Sequence, residues 1–474
     1  MASFNGNGKL HVVMFPWLGF GHMIPFLELA KSIAHKGHKV TFISTPRNIQ
    51  RLPKLPPNLL PLIHFVKFTL PKVHGLPQNA EATLDVRGDQ IQYLKIAIDG
   101  LETEFTRFLH NSVPPDWIIH DFLHYWLPPL AAKLNISCAH FSIINAWFIA
   151  FLGPSSTLIQ VSHPRTEPEH FTVPPEWVPF PTKVAYRLHE TPWITGSFEP
   201  NELGVSDMYR LGMTFFGCDA FFIRHCDEFE PQWLNLLREI HQKPVIPVGL
   251  MPPSVQDRGE EINEAWVSIS ELLGKQKEGS VVYVALGSEV TLSQQQLTEL
   301  ALGLELSGLP FFWALRKPPG SDESDSVELP GGFEERTKDR GVVWTGWAPQ
   351  LRVLGHDSVG GFLTHCGWSS IIEGLNFGLP LIMLPFFVDQ GLNARVFEEK
   401  KVGIEILRDE RDGSFTRNSV AESVRLVMVD GEGSIYRDNA WEMKKIFGDK
   451  EGQDRHIESF VEYLENHKRV LKDS

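Results

Sequence analysis

Cysteine is scarce in this 474-residue chain. There are four, Cys138, Cys218, Cys226 and Cys366, and no two of them form a CxxC pair. Their wide spacing argues against a zinc site and against a disulfide framework, and makes a reducing cytosol the expected location. Long apolar runs are missing as well, since no stretch approaches the roughly eighteen uninterrupted apolar residues of a membrane span. The N-terminal MASFNGNGKL is polar, and the apolar segment after it is broken by Pro16 and Gly19, so neither a signal peptide nor a membrane span is expected. Positive charge is in deficit: 44 Lys and Arg against 58 Asp and Glu leave a net charge of −14. With no basic stripe, the chain has no electrostatic attraction to nucleic acid or anionic membranes. The dinucleotide fingerprint G-x-G-x-x-G is incomplete, because Gly19 and Gly21 are followed by Ile24, which weakens a nicotinamide-binding reading. Low-complexity tracts and short tandem repeats are absent.

What is present is an alternation of buried strands and helices, in two rounds. With 42% hydrophobic and 22% charged residues, the chain can build two full cores and is long for one. In the first round, Leu10 to Phe15 reads as a buried strand, the segment after Pro25 as a helix, His38 to Thr45 as the next strand, and Asp116 to Asp121 as a strand ending in an acid. The second round runs through Ser280 to Ser288, a helix from about Ser293, Pro310 to Arg316, GVVWTG, and Val359 to Leu363. The pattern predicts an α/β protein with a mostly parallel sheet in each half. The Pro-rich stretch His241 to Val255 reads as the connection between them. The expected division is an N-terminal domain 1–245, a linker 246–265, a C-terminal domain 266–455, and a terminal helix 456–474 packing back on the first domain. Nine of the 34 prolines fall between Pro154 and Pro200, which predicts an irregular segment placed near the acceptor side; the acidic run Gly320 to Gly332 reads as an exposed loop.

The densest chemistry lies between Trp347 and Gln390, which opens WAPQLRVLGHDSVGGFLTHCGWSSIIEGL and closes PLIMLPFFVDQ. An apolar strand passes through a tight turn into a helix starting near Ser369, a layout that aims backbone N–H groups and a partial positive charge outward and so suits a phosphate. His365, Ser369 and Ser370 add donors. Glu373 shares the serines' helix face one turn further on and can accept from a ribose diol. Trp347 offers a face for stacking on a planar base. Each residue alone has an ordinary explanation as core, cap or loop, and it is their order that points to a nucleotide sugar. A second pair sits at strand ends of the first half. His22 follows the first strand in PWLGFGHMIP, and Asp121 ends another, so the carboxylate can fix the imidazole tautomer and stabilise the imidazolium. Alone, each reads equally as a loop histidine among 19 and a helix cap.

The Trp347 to Gln390 stretch resembles, over its whole length, the signature box of the plant small-molecule UDP-glycosyltransferases, and GFGHMIP and DWIIHDFLHYW match that family's segments around a catalytic His and its Asp partner. The resemblance implies a GT-B fold: two facing Rossmann-like domains with an interdomain cleft. It implies that Trp347 stacks on uracil with Gln350 lining the same pocket, that His365, Trp368, Ser369 and Ser370 form the diphosphate site partly through backbone, and that Glu373 binds ribose. Asp389 and Gln390 match the pair that binds the sugar hydroxyls, and Ser288, Ala348 and Gly367 are expected on the donor side as well. Most members carry Asn where this chain has Ser369, and many carry a Thr near the position of Ile143.

From these parts the expected reaction is a single inverting displacement, with His22 as base and Asp121 as its partner. No DxD-type carboxylate pair lies near the phosphate segment, so a metal-independent reaction with a UDP-glucose or UDP-rhamnose co-substrate is expected, without a resident cofactor. GGFLTHCGWSS, PLIMLP and DQGLNAR resemble the branch that adds a sugar to a sugar already carried by a flavonoid, terpenoid or steroid, with glucose ahead of rhamnose. Acceptor contacts are assigned by neighbourhood to Trp17, Phe20, Phe122, Ile144, Asn145 and Phe386. The expected assembly is a monomer. The alternatives are a non-catalytic binder of UDP-sugar or glycoside, and a transferase acting directly on an aglycone.

Overall fold

The computed structural model describes residues 8–160, 165–253, 264–316 and 328–469. Among the described residues, thirteen strands form two sheets in which every strand pairing is parallel. The first holds β1 (His11–Phe15), β2 (Lys39–Ser44), β3 (Ile63–Lys67), β4 (Trp117–His120), β5 (Ser137–Ser142), β6 (Ala220–Ile223) and β7 (Val245–Pro247), in the order β3-β2-β1-β4-β5-β6-β7. The second holds β8 (Val281–Ala285), β9 (Phe311–Ala314), β10 (Gly341–Trp344), β11 (Val359–Thr364), β12 (Leu381–Met383) and β13 (Gly403–Glu405), in the order β10-β9-β8-β11-β12-β13. Helices cover such sheets on both faces, which is why β4, β5, β6 and β8 are buried at every position and read as unbroken apolar runs. Both sheets are Rossmann-like, and in each the strand order reverses once near the middle, between β1 and β4 and between β8 and β11. Loops leaving the carboxyl ends of strands at such a reversal diverge and open a crevice, so those two places are where ligands are expected.

The chain divides into two compact bodies. The first comprises 1–164, 197–251 and 450–474, the second 165–196 and 252–449. Three details differ from the sequence reading. The first helix runs Phe20–His35 and includes Pro25 rather than starting after it, because Gly19 caps it and its carbonyl accepts from the N–H groups of His22 and Met23. His22 therefore sits in the first helical turn rather than in a loop. The stretch expected as linker begins inside the first body: β7 pairs with β6, and Arg224 holds the carbonyls of Leu250 and Met251. Its continuation over 254–263 lies outside the described residues, as does most of the acidic run Gly320 to Gly332. The Arg165–Gly196 segment groups with the second body, where a buried ion pair of Glu190 with Arg395 and a part-buried one of Arg187 with Glu405 fasten it.

The terminal helix begins at Lys450 and ends at Asn466. It buries Ile457, Phe460, Val461 and Leu464 in the core that also holds Leu10, Val12 and Trp117, and the Trp117 indole N–H donates to the Leu464 carbonyl at 2.9 Å. Among the described residues no helix is long and apolar enough to cross a membrane.

Candidate active site

The reversal of the first sheet brings His22 and Asp121 together. β1 delivers the Gly19-capped turn that carries His22, β4 ends one residue before Asp121, and β1 and β4 are neighbours in register from Val12 with Trp117 to Phe15 with His120. His22 Nδ1 lies 2.7 Å from Asp121 Oδ2. Asp121 is 2% exposed and His22 19%. The Trp17 N–H donates to Oδ2 at 2.9 Å and the Phe122 N–H to Oδ1 at 2.8 Å, so both carboxylate oxygens are aimed by backbone. Burial alone would raise the Asp121 pKa, but the neighbouring His22 and these hydrogen bonds outweigh it and hold the carboxyl at about 2. An ionised carboxylate only accepts, so Nδ1 must carry the proton and Nε2 is the basic nitrogen of the neutral ring.

Around the dyad the acceptor assignments separate. Phe122 packs against the His22 ring at 5.5 Å, while Phe20 and Ile144 are half-buried nearby in sequence. Trp17 is 5% exposed and belongs to the core, meeting Phe122 edge-on at 6.3 Å. Asn145 is fully buried, and its side-chain oxygen accepts from the Phe148 N–H at 3.0 Å as the N-cap of the Ala146–Leu152 helix, so it has a structural role beside the contact expected of it. Phe386 belongs to the second body, where the Arg408 guanidinium lies over its ring at 5.3 Å. Ile143 has no hydroxyl, and the adjacent Ser142 hydroxyl donates to the Ile144 carbonyl, so it is tied to backbone.

The second reversal gathers most of the Trp347 to Gln390 residues. His365 follows β11 and Gly287 follows β8, and the imidazole lies so close to glycine backbone that a Cβ at Gly287 would come within 2.7 Å of its Nε2 and one at Gly367 within 2.5 Å. Gly287 has φ +77°, so glycine is required there on two counts. Ser288 is the next residue. Burial pushes the His365 pKa down to about 4, so it is neutral at pH 7 and would meet a phosphate as an N–H donor rather than as a cation. Its Nδ1 is buried without a hydrogen-bond partner among the described residues.

The Trp368–Asn376 helix starts from Gly367, which has no side chain to cap it, so the first-turn N–H groups of Trp368, Ser369 and Ser370 face the turn after β11. The Trp368 ring packs on Phe397 and Phe447. Trp347 is 52% exposed and next to the buried Ala348, unlike Trp117, Trp147, Trp233 and Trp313, which are fully buried. The Gln350 amide donates to Glu373 at 2.6 Å and accepts from the Tyr283 hydroxyl at 3.3 Å. Gln390 Oε1 accepts from the Phe386 and Phe387 N–H groups.

Asn393 was not singled out in the sequence, yet its amide donates both to Asp389 Oδ2 at 2.7 Å and to the Cys366 carbonyl at 2.8 Å. It joins the turn after β11 to the turn before the Gln390–Glu399 helix. The i, i+4 spacing from Asp389 was a readable signal; the link to Cys366 was not. Tyr283, from the apolar run of β8, was likewise hidden.

Residues 262–470 match the family model described as UDP-glucoronosyl and UDP-glucosyl transferase. The chain is 57% identical to UDP-glycosyltransferase 91D1 of Stevia rebaudiana over 465 residues, 98% of this chain and 94% of that protein. This chain belongs to the UDP-glycosyltransferase family. The transferase is also 43% identical to soyasaponin III rhamnosyltransferase of Glycine max, with 98% of each chain covered. Among solved structures, UGT2 of Phytolacca americana complexed with UDP-2fluoro-glucose and pterostilbene is similar at a TM-score of 0.75 and 26% identity, covering 97% of this chain and 100% of that one.

Proposed function

We propose that the transferase adds glucose or rhamnose from a UDP-sugar to a hydroxyl of a plant specialised-metabolite glycoside, with inversion, and that the hydroxyl belongs to a sugar the acceptor already carries. The observation that carries the catalytic part is the 2.7 Å contact between His22 and the buried, backbone-aimed Asp121. Nε2 of His22 takes the acceptor proton as the oxygen forms its bond to the anomeric carbon, and the bond from that carbon to the diphosphate oxygen breaks. Asp121 stabilises the imidazolium. The leaving UDP is held by the N-terminal N–H groups of the Trp368–Asn376 helix together with Ser369, Ser370, Ser288 and the neutral His365, and it needs no cation from this chain. Trp347 stacks on uracil, with Gln350 and Glu373 on uracil and ribose and Asp389 with Gln390 on the sugar.

The glycoside acceptor and the choice between glucose and rhamnose are supported by the box sequence and by a rhamnosyltransferase among the relatives. UDP-glucose is placed ahead of UDP-rhamnose. The four cysteines are all free and buried, which supports a cytosolic location. The test is UDP release from UDP-glucose and from UDP-rhamnose against flavonoid, triterpenoid and steroid glycosides and their aglycones. Release that requires a glycoside supports the reading; release with aglycones alone moves the acceptor to the aglycone, and tight UDP binding with no release leaves a binding protein. Full activity in excess chelator is expected, and loss restored by manganese would contradict the metal-free mechanism.

A further inference from the structure

The turn before the Gln390–Glu399 helix contains Val388 in left-handed backbone at φ 58°. A β-branched residue rarely stands there, so the surroundings must hold it. Tyr186, 202 residues earlier in the chain, donates its hydroxyl to the Val388 carbonyl at 2.7 Å. The ring is 3% exposed. Burial first, then the carboxylates of Asp389 and Glu190, push the phenol well above its ordinary pKa, so it stays a protonated donor.

The segment bearing Tyr186 is itself clamped. Arg187 pairs with Glu405 and Glu410, and Glu190 Oε2 accepts from the Arg187 N–H and from Arg395, each at 2.7 Å. The Glu190 carboxylate reaches the first turn of the Gln390–Glu399 helix only because Gly391 is a glycine; a Cβ there would lie 2.5 Å from Oε2. A carboxylate at that helix end also complements the helix dipole. On the other side of Val388, Asp389 and Gln390 take their directions from the same turn through Asn393 and the Phe386 and Phe387 N–H groups.

We propose that Tyr186 is a positioning residue for donor-sugar selection, fixing through the Val388 carbonyl the direction in which Gln390 meets the sugar hydroxyls. The inference rests on the sugar-binding role given above to Gln390. Tyr186→Phe keeps the ring and deletes the hydroxyl. Affinity for UDP should change less than about twofold, while discrimination between UDP-glucose and UDP-rhamnose in kcat/KM falls by about tenfold, the usual worth of one buried hydrogen bond. In a Gln390→Ala background, adding Tyr186→Phe should change discrimination by less than about twofold, because both act through one turn. Unchanged discrimination in Tyr186→Phe, a fully additive effect in the double variant, or UDP affinity lost in step with discrimination would each overturn the inference.

If Gln390→Ala leaves discrimination intact while UDP still binds, the sugar-binding role has failed and this inference with it. If Gln390→Ala abolishes discrimination and Tyr186→Phe does not, only the role of Tyr186 has failed. Should Tyr186→Phe lower Tm markedly, Val388→Asn is added, since Asn adopts left-handed backbone more readily. Recovery of discrimination then supports the clamp, and no recovery overturns it.

Discussion

His22 and Asp121 are 99 residues apart in sequence and 2.7 Å apart in space, and the consequence is testable one side chain at a time. His22→Ala removes the proposed base and should lower kcat by about 10²–10⁴-fold, the range for a general base. Asp121→Asn keeps the shape and removes the charge that fixes the tautomer, so a loss of up to about 10⁴-fold is expected, as when the triad Asp of a serine protease is changed to Asn. UDP affinity, read by calorimetry, should stay near the parent value in both. Gly287→Ala should do the opposite. Its Cβ would strike His365, and its φ of +77° disfavours any side chain, so UDP affinity falls first. At this scale the sequence was partly legible. The closeness of His22 and Asp121 was readable because each lies in the chain just after a strand of one parallel sheet, β1 and β4, whereas the roles read from the order of the Trp347 to Gln390 residues remain proposals. The capping role of Asn145 was not read, and Tyr186 was missed because nothing in the order of residues reveals a partner 202 positions away.

The strands read from the sequence, β1, β2, β4, β8, β9, β10 and β11, lie within about three residues of their expected places, because burial on both faces of a parallel sheet writes itself as an apolar run, whereas β3, β5, β6, β7, β12 and β13 were not singled out. Helix beginnings were harder to read. Pro25 looked like a start and instead lies inside the Phe20–His35 helix, since the deciding bonds come from the Gly19 carbonyl. The Pro154 to Pro200 stretch was read from its prolines alone, whereas the position of 165–196 within it is set by Arg187, Glu190 and Tyr186 finding partners far along the chain. The Lys450–Asn466 helix gives the clearest prediction for an element. Four of its apolar side chains lie in the first body's core, each worth about 1.5–3 kcal/mol of burial. Removing everything after Asp449 therefore costs about 6–12 kcal/mol, comparable to the whole stability of a domain. The truncated chain should lose cooperative unfolding of its first body, as followed by near-UV circular dichroism. A native transition in that truncation would contradict the packing.

Across the whole molecule, buried neutral histidines set the response to acid. Burial lowers His120 to about 4, His124 and His140 to about 3, and His365 to about 4, from an ordinary 6.5. The unfolded chain therefore binds more protons than the folded one below pH 6.5. Their contribution to stability is complete above 6.5 and is lost as pH falls toward 3–4. Asp121, held at about 2 against 3.8, contributes above 3.8 and is lost only below that. Tm should accordingly be level between about pH 7 and 8 and fall with growing slope below 6.5. A Tm unchanged down to pH 4.5 would contradict this. The proposed reaction assigns the base to His22 and UDP binding to the Trp347 to Gln390 segment, and one comparison tests that most directly: acceptor-dependent UDP release by the parent and by His22→Ala, with UDP affinity measured on the same samples. Release falling at least about 100-fold in the variant while UDP affinity holds is the predicted result. Release that persists in His22→Ala, or a parent protein that binds UDP but releases none with any acceptor tried, would contradict it.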